Sequence, residues 1–152
     1  MKHRKDKFLL GVFLGILMVT MAVLSGCGAK TEPKPDPGSG KYLIYYLNSS
    51  VTKLVAQEYE TETRDQADLA EELMGQLLHV PRDLDCQPAV NEKVSFKTCR
   101  IDEQVLYLYF DGSYISMKPE QEILCRAALA RTMTQIPGID YISIYCGDQP
   151  LM

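Results

Sequence analysis

Cysteine is the residue type in this chain with the widest choice of chemistry. The five cysteines are Cys27, Cys86, Cys99, Cys125 and Cys146. A structural zinc site needs about four ligands at close spacing. The chain has no Cys-x-x-Cys pair, and its two histidines are His3 and His79. The spacing therefore predicts no metal site, and we expect no other cofactor.

A catalytic thiol would need a neighbouring base. His79 lies seven residues before Cys86, and nothing in the sequence fixes the two side chains together. A histidine near the end of a predicted helix is explained more simply by a favourable charge–dipole interaction. Asp111 and Asp148 each adjoin a glycine, and residues 102–103 read as a solvated hairpin turn. The sequence therefore predicts no catalytic residues and a protein that is not an enzyme.

The first 27 residues have the organisation of a processing signal. Four basic side chains precede an uncharged run of sixteen residues, 8–23, which Leu24-Ser25-Gly26-Cys27 follows. This order is typical of a secretory leader, and the run is shorter than the roughly 20 residues needed to span a bilayer. The alternative is an uncleaved membrane anchor. The end of the leader resembles a bacterial lipoprotein signal.

That resemblance implies that residues 1–26 are removed and that Cys27 becomes the lipid-modified N-terminus, carrying acyl chains such as palmitate. We therefore expect a protein held by lipid on the extracytoplasmic face of the cell membrane. Residues 27–40 are rich in proline and glycine and poor in apolar side chains, which predicts a tether. Residues 41–152 remain as one small folded domain.

The charge of the mature chain excludes one class of partner. The leader contains four of the 16 basic and one of the 20 acidic residues. The mature chain therefore has 12 basic and 19 acidic residues and is acidic. A surface that binds phosphates needs clustered lysine and arginine. We therefore expect no nucleic acid partner, and we expect membrane contact through the lipid on Cys27.

Export also decides what the other thiols can do. Oxidising surroundings would favour disulfides, and four cysteines allow two bridges with three possible pairings. They are Cys86, Cys99, Cys125 and Cys146. The alternative is that they stay as free thiols, because cysteine packs well as a small apolar side chain. A dithiol that cycles between the two states would make the protein a thiol redox protein, which is the least favoured alternative.

Hydrophobic periodicity predicts an α+β domain. The expected strands cover residues 42–47, 53–59, 93–100, 105–110 and 141–146. The expected helices cover residues 63–79, capped by Thr63 or Asp65, and 119–135, opened by Pro119. Residues 105–110 are apolar on both faces, which indicates a central strand. The economical packing is a small mixed β-sheet of four to five strands with the two helices on one face.

Tyrosine is unusually frequent on the predicted strands. The tyrosines concerned are Tyr42, Tyr45, Tyr46, Tyr107, Tyr109, Tyr141 and Tyr145. Packing between strands explains them most simply, because aromatic side chains suit a pleated surface. The alternative is a sheet face used for contact, since tyrosine is enriched in interfaces.

From Lys41 onward the chain resembles the GerMN domain family, named from sporulation and spore germination. Three segments support the resemblance: the central strand and its turn over residues 106–112, residues 130–139 at the end of the second helix, and the tail over residues 142–148. The second segment contains the sequence Thr134-Gln135-Ile136-Pro137-Gly138. The turn after the first helix departs from the family pattern, because Val80-Pro81 stands where the family has Gly-Pro.

The resemblance implies a non-enzymatic role in the cell envelope, with no catalytic residue to carry over. We expect a membrane-anchored extracytoplasmic lipoprotein that acts as a scaffold or adaptor in sporulation or spore germination. Its expected partners are the membrane, envelope or sporulation proteins, or further copies of itself. The alternative is a peptidoglycan-binding envelope module, in which tyrosines stack on sugar rings.

Overall fold

A tight hairpin opens the folded domain. The computed structural model describes residues 39–151. Strands β1 (Lys41–Asn48) and β2 (Leu54–Glu60) pair antiparallel over seven consecutive positions. The Asn48 side chain organises the turn, because its Oδ1 accepts hydrogen bonds from the backbone N–H groups four and five residues later, at 2.8 and 3.0 Å. The predicted leader, Cys27 and the tether as far as residue 38 lie outside the described residues.

The first helix lies between β2 and a short third strand. Helix α1 (Gln66–Leu78) begins after Asp65, whose carboxylate accepts from two first-turn N–H groups at 2.9 and 3.1 Å. Of the two predicted caps, Asp65 is therefore the one used. The helix ends before His79, where the sequence predicted the end. Strand β3 (Cys86–Gln87) then pairs with the end of β1 and completes a sheet in the order β2-β1-β3.

The second sheet contains the predicted central strand. Its order is β4-β5-β6-β7, where β4 is Phe96–Asp102, β5 is Val105–Phe110, β6 is Tyr141–Cys146 and β7 is Gln149–Pro150. Strand β5 pairs antiparallel with β4 and parallel with β6. The central position of residues 105–110 is thus confirmed. Strand β4 begins later and ends later than predicted, because the hairpin turn is at Glu103, which has a φ of 54°.

A helical crossover joins the parallel strands β5 and β6. It consists of a short 3₁₀ helix (Gly112–Ser116) and helix α2 (Pro119–Met133). Pro119 is at the first turn of α2, as predicted. A backbone N–H at this position has no acceptor within the helix, so its absence in proline costs no hydrogen bond. The helix ends two residues earlier than predicted, at Met133, and Gln135 is therefore free to turn back toward β1.

The α+β class with two α-helices is confirmed, and the strands divide between two sheets where one was expected. The physical reason is at the free edge of β1. The Thr132 hydroxyl accepts from the backbone N–H of Tyr45 at 3.2 Å, and the Gln135 amide bonds both backbone groups of Leu43 at 2.8 Å. These side chains occupy the positions that a neighbouring strand would need.

Both sheets contribute to one hydrophobic core. Helices α1 and α2 each contact strands of both sheets. Its fully buried side chains include Leu47 on β1, Leu73 on α1, Leu108 on β5 and Leu129 on α2. Within residues 39–151, no helix has the length and apolar character needed to cross a membrane.

Candidate functional site

The solvent side of the four-stranded sheet presents four tyrosines, which we call the tyrosine face: Tyr107, Tyr109, Tyr141 and Tyr145. Side chains alternate between the two faces of a strand, and the buried residues of β5 are Leu106, Leu108 and Phe110. The alternate residues of β5 therefore point outward. The parallel register places Tyr109 beside Tyr145 on β6, on the same face.

The rings of the tyrosine face form a continuous cluster. The centroids of Tyr109 and Tyr145 are 5.1 Å apart, and those of Tyr107 and Tyr145 are 6.1 Å apart. The guanidinium carbon of Arg100, on β4, lies 5.1 Å from the Tyr107 centroid, which is a cation–π distance. Tyr141 is 66% exposed at the start of β6.

The hydroxyl groups of the tyrosine face remain available for contact. None of the hydrogen bonds described within residues 39–151 involves them. A sheet face with aromatic rings, free hydroxyl donors and a nearby guanidinium has the composition of the buried part of protein interfaces. The tyrosine face is therefore the candidate functional site of the domain.

The tyrosines of β1 have a structural role. Tyr42, Tyr45 and Tyr46 all lie buried on β1. Burial raises the pKa of Tyr45 and of Tyr46, which keeps both hydroxyls neutral. The guanidinium carbon of Arg131 lies 4.4 Å from the Tyr45 centroid. The two sequence interpretations of tyrosine thus apply to different strands, with packing on β1 and an open face on β5 and β6.

The structure has Cys86, Cys99, Cys125 and Cys146 as free thiols. Cys86 belongs to the three-stranded sheet, and Cys125 is fully buried in α2, where burial raises the pKa of its thiol to about 12. Cys99 and Cys146 share the second sheet, but β5 lies between their strands. Two strand spacings are about 9.5 Å, and a disulfide needs Cα atoms within about 7 Å. The fold therefore keeps this pair apart.

The predicted turn residues take part in turns. Asp111 accepts from the backbone N–H of Ser113 at 3.0 Å and from its hydroxyl, and these bonds hold the pKa of the carboxyl below its usual range. Asp148 is exposed in the turn between β6 and β7. His79 follows α1, with its ring Nδ1 2.6 Å from the carbonyl oxygen of Gly75. The described residues contain no group of three side chains that could hold a metal ion.

Sequence reasoning missed the residues that lock the end of α2 in place. Thr132 and Gln135 bond the edge of β1, and the Gln66 side-chain amide at the start of α1 donates to the carbonyl of Pro137. Gly138 has a φ of 84°, the left-handed region that favours glycine. Gln135, Pro137 and Gly138 lie in the segment that supports the family resemblance, so that segment was the sequence signal for this lock. The i, i+3 spacing of Thr132 and Gln135 was a second signal.

Comparisons with solved structures identify the same fold in known domains. The first GerMN domain of the sporulation protein GerM from Bacillus subtilis superposes with a TM-score of 0.61 at 14% identity, covering 73% of this chain and 85% of that one. The tandem GerMN domains of that protein give 0.60 at 14% identity, and the match covers 73% of this chain and only 40% of that one. A candidate lipoprotein from Clostridium perfringens gives 0.51 at 18% identity, with 75% and 80% covered.

The sequence itself gives the family. No curated protein matches the chain. The family profile that does match is Germane, described as sporulation and spore germination, and it covers residues 43–152. The match includes both sheets, both helices and the tyrosine face. This chain belongs to the Germane family of sporulation and spore germination domains, and it has the fold of the GerMN domains.

Proposed function

We propose that this protein is a lipid-anchored, extracytoplasmic and non-enzymatic adaptor of the cell envelope, acting in sporulation or spore germination. The observation that supports it best is the tyrosine face, an aromatic surface with free hydroxyls on a four-stranded sheet. The family match supports a role in sporulation or spore germination. The Leu-Ser-Gly-Cys sequence before the tether supports the anchor at Cys27.

The arrangement suits a scaffold because contact and anchoring lie on separate parts of the chain. Lipid on Cys27 would hold the protein at the membrane, where two acyl signals bind far more stably than one. The Pro/Gly-rich tether would let the domain reorient. The tyrosine face would then meet an envelope protein, with Tyr109 and Tyr145 as the central aromatic contacts.

The anchor is tested by the mass of the native N-terminus. Protein purified from membranes of the producing cells should begin at Cys27 and carry acyl chains. A Cys27→Ala variant should keep the leader or leave the membrane fraction. An intact Met1 end with no acyl mass on Cys27 would contradict the anchoring.

The adaptor role is tested by a double substitution on the tyrosine face. Full-length protein with Tyr109→Ser and Tyr145→Ser should lose the envelope proteins that cross-link to the wild type in sporulating cells. The matched control is Ile123→Ser, because Ile123 is a 64% exposed apolar residue on α2, away from the sheet face. Equal capture by the double variant and by the control would contradict the role of the tyrosine face.

A second candidate function is binding to peptidoglycan. The neighbouring rings of Tyr107 and Tyr145 on one sheet face favour it, since sugar rings can stack on aromatic side chains. Sedimentation with purified peptidoglycan separates the two functions. Co-sedimentation that the same double variant abolishes would favour the wall module over the protein adaptor.

A further inference from the structure

Strand β2 has an open edge along its whole length. At the two ends of the hairpin, the N–H of Thr61 donates to Gly40 at 2.9 Å and the N–H of Asn48 donates to Lys53 at 3.1 Å. Hydrogen-bonding direction alternates along an antiparallel strand, so odd-numbered residues of β2 bond to β1. The even-numbered residues Leu54, Ala56, Glu58 and Glu60 turn their N–H and C=O groups outward. None of the hydrogen bonds within residues 39–151 involves these backbone groups.

The other sheet edges are covered or interrupted, which natural proteins do to prevent unwanted pairing. Thr132, Gln135 and β3 occupy the second edge of β1. Strand β7 covers the end of β6, and a bulge between Phe96 and Thr98 interrupts β4. Strand β2 instead keeps an unbroken register of seven pairs. Among the edges that the structure describes, β2 is the one best suited to accept another strand.

A cleft of about 370 Å³ follows this open edge. Four successive residues, Gln57 to Glu60, line one side of it, which means that the cleft runs along the strand backbone. The loop after α1, from His79 to Arg82, forms the opposite wall, and Tyr46 lies at its floor. The loop includes Val80, which is 67% exposed, and Pro81. The cleft therefore offers apolar surface beside unpaired backbone groups.

The side chains of β2 define what could pair there. Ala56, Glu58 and Glu60 are exposed on one face of the strand, whereas Gln57 and Tyr59 lie on the cleft side. Glu60 already pairs with Lys41 at 3.0 Å, which leaves Glu58 as the acidic group without an ion-pair partner among the described residues. An added strand places alternate side chains on the two faces. It would need apolar residues toward the cleft and a basic residue beside Glu58.

A second copy of the chain fits this edge poorly. Antiparallel pairing of two β2 strands about Gln57 would place Glu58 of each copy diagonal to Glu58 of the other. Diagonal neighbours lie about 7–8 Å apart, within reach of long side chains, so the two carboxylates would repel each other across the pair. The basic side chains of the cleft, His79 and Arg82, belong to the opposite wall and do not offset this repulsion.

We propose that β2 is a docking strand that accepts an extended segment of a partner protein, in which apolar side chains alternate with Lys or Arg. The segment would bond to the outward backbone groups of Ala56 and Glu58 and place its apolar residues in the cleft. Strand addition of this kind takes affinity from backbone hydrogen bonds and specificity from alternate side chains. The inference rests on the proposed adaptor function and gives it a second contact surface, separate from the tyrosine face.

The test uses full-length protein purified in detergent and two synthetic peptides with blocked ends. One peptide alternates lysine with valine, and the other alternates glutamate with valine. Hydrogen exchange of the fragment covering β2 is followed by mass spectrometry. At a concentration ten times its dissociation constant, the lysine peptide should slow exchange of the outward β2 amides about tenfold by mass action, and the glutamate peptide should not.

Two variants and one control complete the test. Ala56→Pro removes an outward N–H at a place where an edge strand tolerates proline, and it should abolish the protection. Glu58→Lys should weaken binding about fivefold or more through charge repulsion. Glu92→Lys makes the same change of net charge at an exposed loop residue and should bind as the wild type does.

Equal protection by both peptides, or protection that survives in Ala56→Pro and Glu58→Lys, would overturn the inference. So would peptide-independent protection that grows with protein concentration, since that would make a second copy the occupant. The double variant of the tyrosine face should keep the β2 protection. If β2 shows no protection while capture through the tyrosine face persists, the docking strand is refuted and the adaptor function stands.

Discussion

At the scale of single residues, Gln135 takes the place of a neighbouring strand. Its amide accepts from the N–H of Leu43 and donates to the carbonyl of Leu43, both at 2.8 Å. One side chain thus satisfies both backbone groups of Leu43, which face away from β2. A buried backbone group without a partner costs about 1–3 kcal/mol.

Gln135→Ala should therefore lower the free energy of unfolding by about 1–3 kcal/mol, because both Leu43 groups lose their partner. Urea denaturation of the mature protein would measure the change. Gln104→Ala is the matched control, since Gln104 is an exposed glutamine in the β4–β5 turn and should change stability by less than about 0.5 kcal/mol. Equal urea midpoints for the two variants would show that the hydrogen bonds between Gln135 and Leu43 contribute nothing to stability.

Tyr59 makes the stability of the fold depend on pH in the alkaline range. Its hydroxyl donates to the Glu72 carboxylate at 2.6 Å, and this bond, helped by burial, raises the pKa of Tyr59 from 10.0 to about 12. Between these values the unfolded chain has released a proton that the folded chain retains. Stability from this group is therefore complete below pH 10 and is lost as the pH rises toward 12.

Tyr59→Phe should make the fall in unfolding free energy between pH 10 and 12 shallower than in the wild type. At pH 7 the variant should lose about 1 kcal/mol, because one hydrogen bond is removed. Denaturation series at several pH values would measure both effects. Tyr141→Phe, at an exposed position, serves as the comparison, and a Tyr59→Phe slope identical to that of the wild type would refute the assignment.

At the scale of elements, the two helices differ in how they use glycine. Gly75 lies inside α1, and a Cβ added there would meet nothing within 4 Å. Gly138 follows α2 with a φ of 84°, and a Cβ there would lie 2.6 Å from the Gln66 side-chain nitrogen. The first glycine is therefore replaceable, whereas the second is required by its conformation and by the contact with α1.

Gly75→Ala should stabilise the domain by about 0.5–1 kcal/mol, because alanine loses less conformational entropy in a helix. Gly138→Ala should destabilise it by about 1–2 kcal/mol, since it forces a left-handed backbone and displaces Gln66. Thermal denaturation of the two variants beside the wild type measures both. Changes in unfolding free energy of the same sign would contradict this account of the two glycines.

The order of the five longer strands and the two α-helices could be predicted from the sequence, because periodicity, caps and prolines are local signals. The short strands β3 and β7 were not predicted. Residues 105–110 were apolar on both faces and did become the central strand of their sheet. The division into two sheets could not be predicted in the same way. It depends on Thr132 and Gln135 meeting β1 about 90 residues away along the chain, and no local pattern reports such a meeting.

The candidate site was predicted only as one of two alternatives. The sequence placed seven tyrosines on strands but could not assign each one to the core or to the surface. That assignment needs the neighbours on both sides of a strand. β1 is covered on both of its faces, so Tyr45 and Tyr46 are both buried, whereas β5 has one open face that exposes Tyr107 and Tyr109.

At the scale of the whole molecule, two sheets share one core, and this sharing should make them unfold together. Ile44 on β1 and Leu108 on β5 belong to the same cluster of buried side chains, which helix α2 joins through Leu129. Opening either sheet alone would expose the apolar surface of the other. Small domains with a single core usually unfold in one cooperative step.

Native-state hydrogen exchange of the mature protein should therefore give the same opening free energy for the amides of Ile44 and Leu108, within about 0.5 kcal/mol, and the same dependence on urea. Leu129→Ala removes a buried side chain that joins the sheets and should lower both values together by about 2–5 kcal/mol. Two distinct opening energies, with only one of them lowered by Leu129→Ala, would mean that the sheets are separate folding units. A single value would mean that the tyrosine face and the β2 edge belong to one cooperatively folded unit.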